Sequence, residues 1–277
     1  MNILEAILFG FIQGFTEIFP ISSSGHLAIM GNLFGINSDM YNFQMLTVFL
    51  HFGTILSILI VYWNEYYSMI QEFSLLIKAG KGETSGKYHY PSARLFIMIC
   101  ITCLPAVILF PLMKYIDNLY YSSYFIGAMM IVSGIILFIS DKLDISNKDE
   151  RNMTFSDALI IGFCQLVAAI PGISRVGLDM TAGKATGLSK EFSLKFAYLL
   201  SVPVAFGMNI VHLATSASNG FLWSDVPLYL VGMIISMLTG IFAMRIVRKS
   251  AENGSFHNFA YYNLVAGVLF IILTMIF

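Results

Sequence analysis

The chain has 277 residues, 57% of them apolar and only 11% charged, with a mean hydropathy of +0.78. A soluble domain carries about 25% charged residues, so this composition excludes one and points to an integral membrane protein with several crossings. A net charge of −1 leaves no basic field for nucleic acid. Cys100, Cys103 and Cys164 all lie in apolar runs, where they read as small hydrophobic residues rather than as a redox or zinc framework.

In chain order, the apolar runs between polar breaks give eight segments. The first is Ile3–Phe19, followed by a Ser-rich turn and a short stretch to Gly35. It lacks the basic n-region and cleavage motif of a signal peptide. Phe43–Trp63, Leu95–Met113 and Tyr124–Ser140 follow, several of them near the roughly 20 residues that cross a bilayer. The fifth is Ala158–Ile170, followed by "PGISRVG" and a stretch to Leu188. Phe196–Leu213, Leu228–Val247 and Phe259–Phe277 complete the set. Tyr62, Trp63, Tyr66 and Tyr67 read as an interfacial aromatic belt.

Segments one and five are alike. Aligned without gaps at an offset of 152, residues 6–35 share ten identities in thirty positions, including Gln13/Gln165, Ser22/Ser174, Gly10/Gly162, Gly25/Gly177, Gly31/Gly183 and Gly35/Gly187. Apolar composition does not generate shared Gln, Ser and four Gly, so the chain reads as an internal repeat. The expected architecture is a single all-α polytopic membrane domain over 1–277, with repeat one at about 1–152 and repeat two at about 153–277.

Charge decides the expected topology. If segments one and five crossed fully, the fourteen Lys and Arg outside "PGISRVG" would divide seven and seven between the two faces. If each is a re-entrant helical hairpin, thirteen share one face and only Lys114 opposes them. The positive-inside bias selects the hairpins, with the Lys/Arg-rich loops cytoplasmic and both termini outside. Each repeat then holds one hairpin and three transmembrane helices. Three full spans separate the hairpins, so the repeats are inverted and their polar turns are expected to meet inside the membrane. Broken backbone at that depth must be buried in protein or line a watery cavity.

The polar residues of the two turns are the candidate site. Gln13 and Glu17 share a helix face at i, i+4 spacing, and a carboxylate at this depth calls for a partner. Gly10-x-x-x-Gly14 reads as a close helix contact. "PISSSGH" supplies Ser22, Ser23, Ser24, Gly25 and His26. These suit either acid/base and nucleophilic chemistry, or plain capping of a broken helix. "PGISRVG" supplies Gly172, Ser174, Arg175 and Gly177. The Arg fork matches phosphate oxygens, and the helix start adds amide donors. A Glu17–Arg175 salt bridge is the bland alternative, compatible with an anion clamp. Asp179 is spaced to pair with Arg175. His51 reads as a satisfied core histidine, and His89, His212 and His257 carry no constellation. A phosphate-bearing lipid is the natural substrate class, with no organic cofactor and no nucleic-acid partner.

"QGFTEIFPISSSGH" and "PGISRVG" resemble the bacitracin-resistance-type undecaprenyl-diphosphate phosphatases, whose motifs are (E/Q)-x-x-x-E with P-x-S-S-[ST]-G-H, and P-G-x-S-R-S-G-A-T. The likeness extends to "FLHFGTIL" and "AYLLSVP". It implies hydrolysis of undecaprenyl diphosphate in the bacterial plasma membrane, recycling the lipid carrier of cell-wall synthesis. It also implies roles for Gln13, Glu17, Ser23, His26, Ser174 and Arg175, and a supporting divalent cation, magnesium or calcium. No ligand set is evident in the sequence, and Glu17 and Asp179 are the candidate ligands. The expected chemistry has Arg175 gripping the diphosphate and Ser23 attacking, with His26 or Glu17 as base. Alternatively, His26 attacks and Glu17 orients it. Ser22, Ser24, Gly25, Gly172, Gly177 and Asp179 complete the expected substrate contacts. Val176, Leu178 and Asp179 depart from the second motif, removing hydroxyls and adding a carboxylate beside the phosphate site. The alternatives are a carrier of polyprenyl phosphate or a related anion, and a paralogue of altered substrate. A homodimer is left open.

Overall fold

The computed structural model describes residues 1–36, 40–79, 90–112, 115–116, 119–120, 122–143, 146–218, 222–252 and 256–276. Lys81, Lys87, His89 and Lys114, which figure in the sequence reading, lie outside these residues. Among the described residues the secondary structure is helical, apart from one isolated bridge between Lys148 and Leu188.

The first helix, α1 (Ile3–Ile18), starts from a capping box: Asn2 Oδ1 accepts from the Glu5 amide at 2.9 Å, and Glu5 Oε2 accepts from the Asn2 amide at 2.8 Å. It ends just ahead of Pro20, whose ring clashes with a continuing helix. Ser22 then caps α2 (Ser23–Leu33). The spans α3 (Met40–Val61), α5 (Pro91–Cys103, continued by a 3-10 segment Leu104–Leu112) and α6 (Ser123–Lys142) follow, with α4 (Trp63–Ala79) between α3 and α5.

The pattern then recurs. Thr154 and Asp157 form a second capping box for α7 (Phe155–Ala168), and Ser174 caps α8 (Arg175–Ala185). The starts of α1 and α7, and both ends of α2 and α8, lie 152 residues apart. The chain closes with α9 (Lys190–Ser218), α10 (Val226–Glu252) and α11 (His257–Ile276).

Among the described residues six helices are long and apolar enough to cross a bilayer: Tyr41–Val61, Pro91–Ile108, Ser123–Lys142, Lys190–Ser218, Trp223–Ala251 and His257–Ile276. They occupy the six stretches read as full spans. The helices α1 and α7 have 16 and 14 residues, roughly 24 and 21 Å at 1.5 Å per residue. Both fall short of a hydrocarbon core of about 30 Å.

Glycines set how closely the helices approach. A Cβ on Gly10 would stand 2.4 Å from the Gly232 carbonyl oxygen, and one on Gly14 would stand 1.8 Å from Thr239 Oγ1. The expected close contact of Gly10-x-x-x-Gly14 is thus made with α10. Helix packing is reciprocal: α1 lies on α10 as α7 lies on α5 and its 3-10 extension, and α6 pairs with α11.

The structure changes three local expectations. The amphipathic helix α4 was not foreseen as a separate element, and α9 runs past Phe196–Leu213 at both ends. In the aromatic belt, Trp63 and Tyr67 are exposed. Tyr62, however, is buried with the Arg248 guanidinium 4.6 Å from its ring centroid, and the Tyr66 hydroxyl donates to the Leu199 carbonyl at 3.0 Å.

Candidate active site

The first hairpin turn brings three polar residues together. Gln13 and Glu17 project from the buried face of α1, one helical turn apart. Ser22 Oγ accepts from the Gly25 amide at 3.1 Å and sits 3.2 Å from Ser24 Oγ, which starts α2 and aims Ser23 back at α1. Ser23 Oγ donates to Glu17 Oε2 at 2.6 Å, and Gln13 Nε2 donates to the same oxygen at 3.2 Å.

The second turn supplies the cation. Gly172 has φ +97, and a Cβ there would stand 2.5 Å from the Ile126 carbonyl oxygen, so only glycine fits this turn against α6. Ser174 accepts from the Gly177 amide at 3.2 Å, and its own amide donates to Ser133 Oγ of α6 at 3.1 Å. Arg175 is thereby held at the first position of α8. Its Nη1 stands 4.0 Å from Glu17 Oε1, and Nη2 stands 3.4 Å from Met208 Sδ. The two polar turns, 152 residues apart, meet at Glu17 and Arg175.

Glu17 is 8% exposed, so its charge is taken out of water and must be compensated locally. Ser23, Gln13 and Arg175 do this; His51 Nε2 also lies 3.6 Å from Glu17 Oε2 and adds to the compensation only when both ring nitrogens are protonated. His51, a core residue by its sequence context, stands beside the carboxylate instead. Its Nδ1 is 2.8 Å from the Thr47 carbonyl, a group that can only accept, so Nδ1 carries the proton. Beyond it, Gln44 bonds His212 and Ser216 Oγ donates to Gln44 Oε1 at 2.9 Å, forming a polar seam between α3 and α9. No sequence pattern pairs these residues, because their partners lie 168 and 172 positions away.

Two expected contacts are not made. His26 belongs to the turn, but its ring points at α11: Nδ1 is 2.6 Å from the Ser22 carbonyl and Nε2 is 2.8 Å from the Tyr262 hydroxyl. Both nitrogens are engaged away from Ser23, whose proton goes to Glu17. Asp179 does not pair with Arg175. It turns to α7 instead, where its Oδ2 accepts from Gln165 Nε2 at 2.5 Å, while Oδ1 is buried without a partner among the described residues. Arg175 is drawn to Glu17 on the other hairpin.

This arrangement combines a hydroxyl on a carboxylate with a guanidinium. The Arg175 fork has five N–H donors, yet among the described residues it holds only an ion pair at 4.0 Å and a thioether. The first amides of α2 and α8 have no intrahelical acceptor. Both features suit a phosphate group. A divalent cation fits less well. The Glu17 oxygens face donors, Asp179 faces Gln165, and among the described residues no three His, Cys, Asp or Glu side chains gather.

The family model of bacitracin resistance protein BacA matches residues 6–269. The chain belongs to this family. It is 36% identical over 281 aligned positions to the undecaprenyl-diphosphatase of Halothermothrix orenii, covering 100% of both chains. It is 31% identical to that of Alkaliphilus metalliredigens, again covering 100% of both. To that of Methanosphaera stadtmanae it is 30% identical, over 100% of this chain and 99% of the relative. Both hairpin turns lie inside the span matched by the family. With its six apolar spans, the chain is a multi-pass membrane protein.

Proposed function

We propose that this protein hydrolyses undecaprenyl diphosphate to undecaprenyl phosphate and phosphate, recycling the lipid carrier of cell-wall synthesis and conferring bacitracin resistance. Full-length similarity to three undecaprenyl-diphosphatases supports the reaction. The observation that carries the mechanism is the Ser23–Glu17 hydrogen bond of 2.6 Å with Arg175 on the other carboxylate oxygen.

In the proposed sequence, the terminal phosphate displaces Glu17 from the Arg175 fork, and the guanidinium with the α2 and α8 amides stabilises the charge of the transferred phosphoryl group. Ser23 Oγ attacks the terminal phosphorus while its proton passes to Glu17, and the bond to the bridging oxygen breaks to release undecaprenyl phosphate. Water then attacks the phosphoserine phosphorus as the bond to Ser23 Oγ breaks; Glu17 returns its proton to Ser23 Oγ, and both water protons leave on dihydrogen phosphate. Gln13, Ser22, Ser24, Gly25, Gly172, Ser174 and Gly177 shape the two turns around the phosphates. The expectation of a magnesium or calcium ion rests on family resemblance alone.

The reading also assigns orientation. The cation-rich ends of the spans, with Lys148, Lys195, Arg245, Arg248 and Lys249, face the cytoplasm of a bacterial plasma membrane, and both termini face outward. The inverted repeat is supported by the shared 152-residue offset and by the reciprocal packing of α1 on α10 and α7 on α5. A cysteine at Lys249 is expected to react with a charged maleimide only from the cytoplasmic side. Assembly as a homodimer is a separate proposal: light scattering in detergent reads a protein mass of two chains if it holds and of one if it does not.

The activity test is phosphate release from undecaprenyl or farnesyl diphosphate by the purified protein in detergent. Release by wild type, lost in Ser23→Ala, supports the reading. Absence of release, with or without magnesium or calcium, overturns it. Movement of polyprenyl phosphate across a liposome without phosphate loss would place the protein among carriers.

A further inference from the structure

The first hairpin turn breaks the α-helical hydrogen-bond ladder inside the membrane, so its carbonyls need partners from elsewhere. The structure supplies one at every second residue. The Tyr198 hydroxyl of α9 donates to the Ile18 carbonyl at 2.9 Å, and Asn263 Nδ2 of α11 donates to the Pro20 carbonyl at 3.1 Å. Tyr198 and Asn263 are fully buried. The third carbonyl, Ser22, accepts the first α2 bond from the His26 amide at 3.2 Å and a second bond from His26 Nδ1 at 2.6 Å. A carbonyl cannot donate, so Nδ1 carries the proton, and Nε2 is left as the acceptor for the Tyr262 hydroxyl at 2.8 Å. The His26 ring stacks on Tyr262, with centroids 5.6 Å apart and planes at 14°, and meets the edge of Phe270.

Ser22 is the residue immediately before Ser23 and the N-cap of α2. Whatever fixes its carbonyl fixes the direction in which Ser23 leaves the turn. We propose that His26 is a positioning residue, the hydrogen-bond donor that locks the Ser22 carbonyl so that Ser23 faces Glu17, with Tyr262 holding its ring and Asn263 and Tyr198 holding the neighbouring Pro20 and Ile18 carbonyls. It transfers no proton and carries no phosphoryl group. This inference rests on the Ser23–Glu17 reading above and assigns His26 a role within it.

The test uses the different reach of two amides. An Asn amide nitrogen occupies the place of the histidine Nδ1, so His26→Asn keeps the donor to Ser22 and loses any acid, base or nucleophile. Gln reaches the place of Nε2, so His26→Gln keeps the Tyr262 partner and loses the donor. Phosphate release is measured with purified full-length protein. His26→Ala and His26→Gln are expected to lower kcat by roughly 5- to 150-fold, the range given by losing one buried hydrogen bond, with KM unchanged. His26→Asn is expected to recover most of that loss and to keep the wild-type pH–rate profile. His26→Asn as inactive as His26→Ala, or missing a limb of the profile, would overturn the proposal.

Should His26→Asn not fold, Tyr262→Phe carries the test. It removes only the hydroxyl on Nε2, so kcat is expected to fall several-fold at constant KM, and an unchanged kcat overturns the proposal. Failure of the wild type to release phosphate would instead strike the proposed function.

Discussion

Replacing Glu17 with Gln keeps the shape of the side chain and removes its charge and its basicity. Ser23 then loses the carboxylate that stands 2.6 Å from its hydroxyl, and an amide oxygen in its place accepts a hydrogen bond but takes no proton. Loss of a positioned general base costs about 10²–10⁴ in rate, roughly 2.7–5.4 kcal/mol of activation free energy at 1.36 kcal/mol per decade. Binding is expected to move the other way. Glu17 competes with the substrate for Arg175 across 4.0 Å, a contact of about 4 kcal/mol at an effective dielectric of 20 before desolvation is counted. Glu17→Gln therefore lowers kcat by two to four decades while KM stays level or falls. The assay is steady-state phosphate release in detergent, with affinity read separately on a non-hydrolysable diphosphonate lipid. A raised KM with kcat preserved would refute the reasoning, because Glu17 would then be a binding group and not the base.

Other outcomes follow from the same geometry. Arg175→Lys keeps a charge but loses the planar fork, so kcat/KM is expected to drop about 10- to 100-fold, and added guanidinium should partly restore Arg175→Ala in the same assay. His51→Leu removes the polar neighbour 3.6 Å from Glu17, and kcat should fall more than for His51→Gln, with thermal unfolding reporting that both fold. Gly14→Ala places a Cβ 1.8 Å from Thr239 Oγ1 and 2.6 Å from the Ser236 carbonyl oxygen. It should destabilise by about 1–3 kcal/mol, seen as a lower Tm in detergent. Asp179→Leu leaves Gln165 Nε2 unpaired in a buried site, at about 1–3 kcal/mol, again read as a lower Tm.

The parts legible in the sequence are those marked locally. Pro20 and Gly172 interrupt apolar runs, and Ser22 and Ser174 sit at the helix starts where caps belong. Gln13 and Glu17 fall on one helix face by spacing alone. The long apolar runs are legible as well, and the six long helices among the described residues lie on the stretches read as full spans. What was not legible depends on chain reversal. His51 reads as an isolated polar residue until α3 is folded against α1. Asn263 and Tyr262 meet Pro20 and His26 across 243 and 236 positions, with no periodicity to signal it. Helix α4 was missed because it follows Val61 with only Tyr62 between them and is amphipathic rather than apolar. Spacing on α8 points Asp179 at Arg175. Glu17 on the facing hairpin holds Arg175 instead, and Gln165 takes Asp179.

The central claim, that Ser23 at the tip of the first hairpin receives the phosphoryl group, is open to one direct measurement. Purified protein is mixed with undecaprenyl diphosphate carrying a labelled terminal phosphate, quenched at neutral pH within a single turnover, and digested for mass spectrometry. The account predicts a transient phosphoryl group on Ser23, formed and lost at the rate of phosphate release. A phosphoryl group on His26, or turnover with no phosphorylated peptide in either Ser23 or His26, would contradict it.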